Sequence, residues 1–120
     1  MTLHPLASTF AAATLLVGCA TTGVPSAGNG LVSLKSPYSQ AETVNRLEAQ
    51  VRQRNLAIVA RVDHAGAAQR IGQALRPTEV MIFGNPQAGT PLMQCSQTVG
   101  IDLPVKALVW TDVGGQVYAH

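Results

Sequence analysis

Hydrophobic positions in the first part of the domain recur at helical spacing between two apolar runs. The runs, at 31–36 and 56–62, predict two strands. Between them a Ser and a Glu stand in the S-x-x-E spacing of a capping box, and apolar residues then recur three and four positions apart. An asparagine after them suits the left-handed end of a helix. The residues that predict this helix are Ser39, Glu42, Val44, Leu47, Val51 and Asn55.

The pattern continues with two further helices around a third strand. Asp63 is expected to cap a helix over 64–75 that ends before a proline, and a strand over 80–83 follows. Thr90 then has the form of a helix cap with Pro91 at the first helical position. The apolar faces of these helices are Ala68, Ile71 and Leu75 in the first, and Leu92, Cys95 and Val99 in the second, which a glycine at position 100 can end.

Two more apolar runs close the pattern. The stretches 105–111 and 116–120 flank a glycine-containing turn and predict a hairpin. The predicted order is therefore β-α-β-α-β-α-β-β, which corresponds to a small α+β domain. Since 120 residues leave little room for a second core, we expect a single domain.

The amino-terminal part has a different character. Residues 6–17 are apolar, uncharged and too short for a stable span, as in the hydrophobic region of a signal peptide. The run Leu16-Val17-Gly18 before Cys19 resembles the lipobox of bacterial lipoproteins, although no Lys or Arg occurs among the first five residues. This predicts a signal peptide over 1–18, lipid on Cys19 and a protein that faces the periplasm and contacts the membrane only through its anchor. An ordinary cleaved signal, giving a soluble periplasmic or secreted protein, and an apolar start without export remain as alternatives.

The composition fits a short tether followed by a folded domain. Residues 19–30 are small and rich in Gly and lack periodicity, which predicts a flexible tether before a domain over 31–120. The chain is 47% hydrophobic and 12% charged, with a net charge of +2. These values are not those of a disordered chain, and the scattered basic residues predict no nucleic-acid partner.

Cysteine usage follows from the lipobox. If Cys19 carries lipid, Cys95 has no partner within the chain, and a disulfide between the two is the weaker alternative. The place of Cys95 on an apolar helix face predicts a buried, unreactive thiol.

The segment 84–89 has the glycine spacing of a phosphate-binding loop without its chemistry. Such a loop continues with Lys and then Ser or Thr, whereas Thr90 and Pro91 follow here. Pro86 and Pro91 each remove a backbone N–H that would bind phosphate. We therefore predict no nucleotide site and no cofactor. A helix N-terminus near Thr90 could still attract a small anion, although a simple strand-to-helix turn explains the residues as well.

Polar residues at the predicted strand ends are the candidate binding site. Asp63 and His64 end one strand, Asn85 ends another, and Asp102 precedes a third; with Thr90 they would bind a small polar or anionic ligand if these ends meet. As an acid–base pair, Asp63 and His64 are also the candidate catalytic residues. In the alternative reading Asp63 only caps its helix, a helix dipole keeps His64 neutral, and Asn85 and Asp102 shape turns. A non-catalytic domain that binds a small polar ligand or another envelope protein is favoured over a small enzyme.

Metal binding has little support in the residue spacing. The available ligands lack C-x-x-C or H-x-x-x-H spacing, so no metal site is predicted. They are His64, Met93, Cys95 and His120.

Four motifs between residues 62 and 118 resemble a known family. They are Val-Asp-His-Ala at the second helix, Arg-Pro-Thr-Glu before the third strand, Phe-Gly-Asn-Pro-x-Ala-Gly-Thr-Pro-Leu-Met, and Ile-Asp-Leu-Pro-x-Lys-Ala-Leu-Val-Trp. Together they resemble the domain of unknown function 302 family, with a looser likeness back to Tyr38.

This resemblance implies a small α+β domain that is often exported in bacteria and self-associates, without an established reaction. Members of the family usually continue beyond the last strand with an Asn-Asp-Pro turn and a closing helix. The printed sequence stops at His120, so we expect that helix to be absent and a homodimer to cover the sheet face it would leave bare.

Overall fold

A five-stranded antiparallel sheet with one long helix on one face forms the centre of the molecule. The computed structural model describes residues 30–120, so the predicted signal peptide, the predicted lipidation site Cys19 and nearly all of the tether lie outside the described residues. The strands are β1 (Leu34–Ser36), β2 (Ala57–Asp63), β3 (Thr78–Gly84), β4 (Val105–Thr111) and β5 (Val117–Ala119), and the helices are α1 (Gln40–Gln53), α2 (His64–Arg70), α3 (Pro86–Cys95) and a 3-10 helix (Gln97–Ile101).

The strands lie in the spatial order β1-β5-β4-β3-β2, and each pairs with its neighbours in antiparallel register. The hairpin of β4 and β5 places Trp110 opposite Tyr118. The predicted α+β class and element order are confirmed, with the 3-10 helix as an additional element.

Helix α1 forms where its capping residues and apolar spacing predict it. The Ser39 side chain accepts a hydrogen bond from the Glu42 N–H at 3.2 Å, which satisfies one of the free donors of the first turn. Glu42 in turn pairs with Arg46 one turn later at 2.8 Å. Asn55, with a φ of 56°, takes the left-handed conformation after the helix.

The hydrophobic core lies between α1 and one face of the sheet. Val44 and Val51 of α1 pack against alternate residues of the strands, because every second side chain of a strand points to the same face of the sheet. Within the described residues the fully buried hydrophobic side chains are Val44, Val51, Met81, Val109 and Val117.

The opposite sheet face is also apolar, yet none of its side chains is fully buried. Val62 retains 36% of its exposure on this face. We call this surface the open face. Strand register assigns to it Ala60, Val62, Val80, Ile82, Leu108, Trp110 and Tyr118.

Helix α2 is shorter than predicted. It ends at Arg70, not at residue 75, because Gly72 takes a φ of 74° and reverses the chain. The Gly72 N–H donates to the Gln69 carbonyl and the Gln73 N–H donates to the Ala68 carbonyl, each at 3.0 Å, as in a Schellman motif. Ile71, which was expected on an apolar helix face, is consequently 76% exposed.

Helix α3 begins earlier than predicted and presents a different face to the domain. Asn85, not Thr90, is the cap: its side chain accepts from the Gln87 N–H at 2.9 Å, with Pro86 at the first helical position. Pro91 therefore lies inside the helix. Leu92 is 54% exposed and Cys95 is also exposed, so these two residues lie on the outer side of α3 and the prediction of a buried thiol is wrong.

Candidate functional site

Asp63 caps a helix in the structure. Its carboxylate accepts a hydrogen bond from the Gly66 N–H at 2.9 Å, as the sequence predicts for a helix cap. A side chain at Gly66 would collide with this carboxylate. The glycine therefore gives the cap its space, and the Asp63 carboxylate is held over the first turn of α2.

His64 is the first residue of α2 and is exposed. No hydrogen bond joins its imidazole to Asp63 in the part of the chain that the structure describes. If the two residues acted as an acid–base pair, the Asp63 carboxylate would have to lie within hydrogen-bond distance of the His64 imidazole.

Asn85, Thr90 and Asp102 lie at the other end of the sheet from Asp63. Asp63 pairs with Glu79 at the start of β3, whereas Asn85 follows the end of that strand. Six residues separate Glu79 from Asn85 along the chain, which corresponds to a distance of about 20 Å at the rise per residue of a strand. The expected convergence of Asp63, His64 and Asn85 at one rim is wrong, because β2 and β3 are antiparallel and their carboxyl ends point in opposite directions.

A small cleft opens at the Asn85 end, between α3, the start of β2 and the segment before β4. Its volume is about 260 Å³. Asn85 and Thr90 contribute polar atoms to its wall, and Asp102 lies outside the lining. The lining residues are Ala57, Val59, Gly84, Asn85, Pro86, Gly89, Thr90, Met93, Leu103 and Pro104.

A wider groove of about 1010 Å³ lies at the Asp63 end, between the start of α1 and α2. Its side chains carry both charge signs and several amides. Gln40 donates to the Glu79 carboxylate at 3.5 Å, and Arg76 donates to the Thr111 carbonyl at 3.1 Å. These polar groups thus have partners within the fold.

A charged cluster beside this groove joins the sheet to α1. Arg61 of β2 contacts the Glu79 carboxylate at 2.6 Å and the Glu48 carboxylate at 2.9 Å. The hydrogen bond to Glu79 contributes most to raising the pKa of the Arg61 guanidinium. Arg52 and then Arg61 hold the pKa of the Glu48 carboxyl below its usual range. This cluster explains why Arg61 can lie on the helix-covered face of the sheet.

Three stacked rings on the open face were not predicted from the sequence. The Trp110 ring stacks on Tyr118 at 5.3 Å and on His120 at 5.7 Å between centroids. Trp110 Nε1 and His120 Nδ1 are buried, and within residues 30–120 they have no hydrogen-bond partner. Strand alternation in the predicted hairpin already places the three residues on one face, and this signal could have identified the cluster.

Metal ligands are not brought together in the described part of the chain. No group of three His, Cys, Asp or Glu side chains there could hold a metal ion. Between residues 30 and 120 there is also no helix with the length and apolarity needed to cross a bilayer.

The fold and its polar groups define a small α+β domain with one helix-covered sheet face and one open apolar face. The chain belongs to the DUF302 family, a domain of unknown function, whose model matches residues 32–120. The recognition of this family from the sequence motifs is thereby confirmed.

Similar proteins include two bacterial channels and one solved structure. Ninety residues of the chain are 47% identical to the fluoride-specific ion channel FluC 1 of Brucella suis and to FluC 1 of Brucella abortus. The match covers 75% of this chain but only 35% and 33% of those proteins, so the chain spans about a third of their length. The crystal structure of an uncharacterized conserved DUF302 protein from Bacillus stearothermophilus superposes with a TM-score of 0.66 at 22% identity, over 72% of this chain and 69% of that one. At this identity the likeness concerns the fold.

Proposed function

We propose that this protein is a non-catalytic binding domain of the bacterial cell envelope, held at the membrane by lipid on Cys19. Its working surface is the open face, and its first partner is a second copy of the same chain. The open face carries this proposal: a whole side of the sheet is apolar, and none of its side chains is fully buried. An apolar face that the fold leaves incompletely buried is the kind of surface that marks protein interaction sites in soluble domains.

The character of the open face suits a protein partner. Trp110 and Tyr118 are neighbours across β4 and β5 on this face, and large aromatic side chains dominate the energy of protein interfaces. Its charged positions, Lys35 and Lys106, lie towards the periphery of the sheet and are exposed. An apolar centre with a polar rim is the usual anatomy of an interface.

The alternative, an enzyme that uses Asp63 and His64, has less support. The Asp63 carboxylate is occupied as a helix cap, and Asn85 and Asp102 lie at the far end of the sheet. Asp63 borders the wide groove, but the groove's Gln40, Glu79 and Arg76 already have partners within the fold. Binding therefore agrees better with the geometry than acid–base catalysis does.

The Brucella relatives support an envelope setting. In those proteins a region similar to this chain belongs to the same polypeptide as a fluoride-specific ion channel. A family domain that works beside a channel would meet an integral membrane protein at the membrane surface. We propose such a protein as the second class of partner for the open face.

Sedimentation velocity of the lipid-free domain tests the self-association. The wild-type protein is expected to sediment as a dimer at micromolar concentration, and Val62→Glu, which puts a charge on the open face, as a monomer. Ile71→Glu is the matched control, since Ile71 is 76% exposed and lies outside the open face. A monomeric wild type, or equal behaviour of the two variants, contradicts the proposal.

The anchor is tested separately in the native host. Cys19→Ser is expected to release the protein from the membrane fraction or to stall its processing. An unmodified wild-type protein in the cytoplasm contradicts the proposed location while leaving the self-association untouched.

A further inference from the structure

One face of α3 forms a wall of the cleft that lies between this helix and the start of β2. The face of α3 that lines it comprises Pro86, Gly89, Thr90 and Met93, spaced three and four residues apart. A Cβ at Gly89 would lie 3.3 Å from the Leu103 side chain, so this glycine sets the approach of α3 to the segment before β4.

The size of the cleft limits what it can hold. An apolar cavity of about 150 Å³ in another protein is large enough to bind benzene. The present cleft, at about 260 Å³, accommodates a single ring with a short substituent, or a short acyl chain. It is smaller than the sites that bind drug-sized molecules, which begin near 300 Å³.

The chemistry of the wall selects the ligand class. No Asp, Glu, Lys, Arg or His contributes to the lining, so a charged group would lose its hydration without compensation. The Asn85 side-chain oxygen is used to cap α3, which leaves its amide N–H groups as donors. The Thr90 hydroxyl makes no hydrogen bond within residues 30–120.

We propose that this cleft is a binding site for a small uncharged molecule with an apolar body and one hydroxyl or carbonyl group. The apolar body lies against Val59, Met93 and Pro104. Its oxygen accepts from the Asn85 amide or exchanges a hydrogen bond with the Thr90 hydroxyl. The site is independent of the open-face partner proposed above.

Three probes of similar size distinguish this chemistry in a nuclear magnetic resonance titration of the labelled domain. Benzyl alcohol carries the apolar body and the hydroxyl, toluene lacks the oxygen, and benzoate carries a charge. Benzyl alcohol is expected to shift the amide signals of Gly84, Gly89 and Thr90, with an affinity about five- to tenfold above that of toluene, as one net hydrogen bond gives. Benzoate is expected to leave these signals unchanged.

Variants separate the cleft from other surfaces. Thr90→Val keeps the shape of the side chain and removes its hydroxyl, and it is expected to reduce the preference for benzyl alcohol over toluene. Val59→Trp narrows the cleft and is expected to weaken both probes. Val113→Trp is the control, because Val113 is 89% exposed in the turn between β4 and β5 and lies outside the lining.

The proposal is overturned if benzyl alcohol leaves Gly84, Gly89 and Thr90 unshifted up to its solubility limit. It is also overturned if the shifts fall on Leu108 and Trp110 instead, since the probe then occupies the open face, or if Val59→Trp binds both probes as the wild type does.

Discussion

Asp63 and Asn85 cap successive helices from opposite ends of the same antiparallel pair of strands. Asp63 ends β2 and its carboxylate accepts from the Gly66 N–H, while Asn85 follows β3 and its amide oxygen accepts from the Gln87 N–H, each at 2.9 Å. The two side chains that the sequence marks as one site thus have separate structural duties. Each leads the chain from a strand into the next helix.

A double-mutant cycle tests the cap of α2. Asp63→Ala is expected to lower the free energy of unfolding by about 1 kcal/mol, the usual value of a lost helix cap. Gly66→Ala is expected to destabilise as well, although alanine ordinarily favours a helix, because its Cβ would displace the Asp63 carboxylate. Denaturant unfolding at equilibrium measures both.

In the double variant the collision is gone, so Gly66→Ala is expected to cost nothing further or to stabilise. An additive loss from the two substitutions would show that the carboxylate and Gly66 are not in contact. Asp63→Asn is the conservative control and is expected to keep most of the stability, since asparagine also caps helices well.

Acid is expected to weaken the link between α1 and the sheet. The pKa of Glu48 is lowered by Arg52 and Arg61, so its ion pairs stabilise the fold above the ordinary glutamate range. That contribution is lost as the pH falls through the lowered pKa. Wild type is therefore expected to exceed Glu48→Gln in stability at neutral pH and to lose this advantage on acidification. A pH-independent difference between the two unfolding free energies would refute the coupling. Added salt should reduce the difference at neutral pH, because the ion pairs are partly exposed.

Trp110 offers a test of a buried polar atom. Its Nε1 is shielded without a partner in the described part of the chain, and an unsatisfied buried donor costs free energy. Trp110→Phe removes this donor and keeps a ring between Tyr118 and His120, so it is expected to cost well below the roughly 3–5 kcal/mol typical of a large aromatic changed to alanine. Thermal and denaturant unfolding of Trp110→Phe and Trp110→Ala provide the comparison. Equal losses of unfolding free energy in the two variants would contradict an unpaired indole N–H.

The thiol of Cys95 is expected to react quickly in the native protein. Because Cys95 is exposed on the outer side of α3, a thiol reagent should label it at nearly the same rate before and after denaturation. Cys95→Ser reports the labelling that belongs to Cys19. A much slower reaction in the native state would mean that another surface covers this side of α3.

The parts of the fold that depend on local chemistry were predictable. Ser39 with Glu42, Asp63 before α2 and the alternation in β4 each specify a cap or a strand through residues close in sequence. The early end of α2 also depends on local chemistry. Gly72 is of the residue type that ends helices, whereas the spacing of the apolar Ile71 and Leu75 favours a longer helix.

The relative direction of neighbouring strands could not be predicted from the sequence. A predicted strand-helix-strand unit allows parallel or antiparallel pairing, and only long-range contacts decide between them. Because β3 pairs antiparallel with both neighbours, the candidate site residues separate and a cleft forms at the Asn85 end. Gly89 of α3 approaches the Leu103 side chain and Gly84 at the end of β3 approaches Pro104, and local sequence patterns predict neither of these long-range contacts.

The concentration dependence of Trp110 quenching tests most directly whether the open face is an interface. Trp110 is the single tryptophan of the chain and lies on the open face, so its fluorescence reports the covering of this surface alone. Acrylamide is expected to quench it weakly at micromolar concentration and more strongly on dilution as the copies separate. Val62→Glu should show the strong quenching throughout, and Ile71→Glu should follow the wild type. Quenching that is the same at every concentration, in wild type and in both variants, would contradict a self-associating open face.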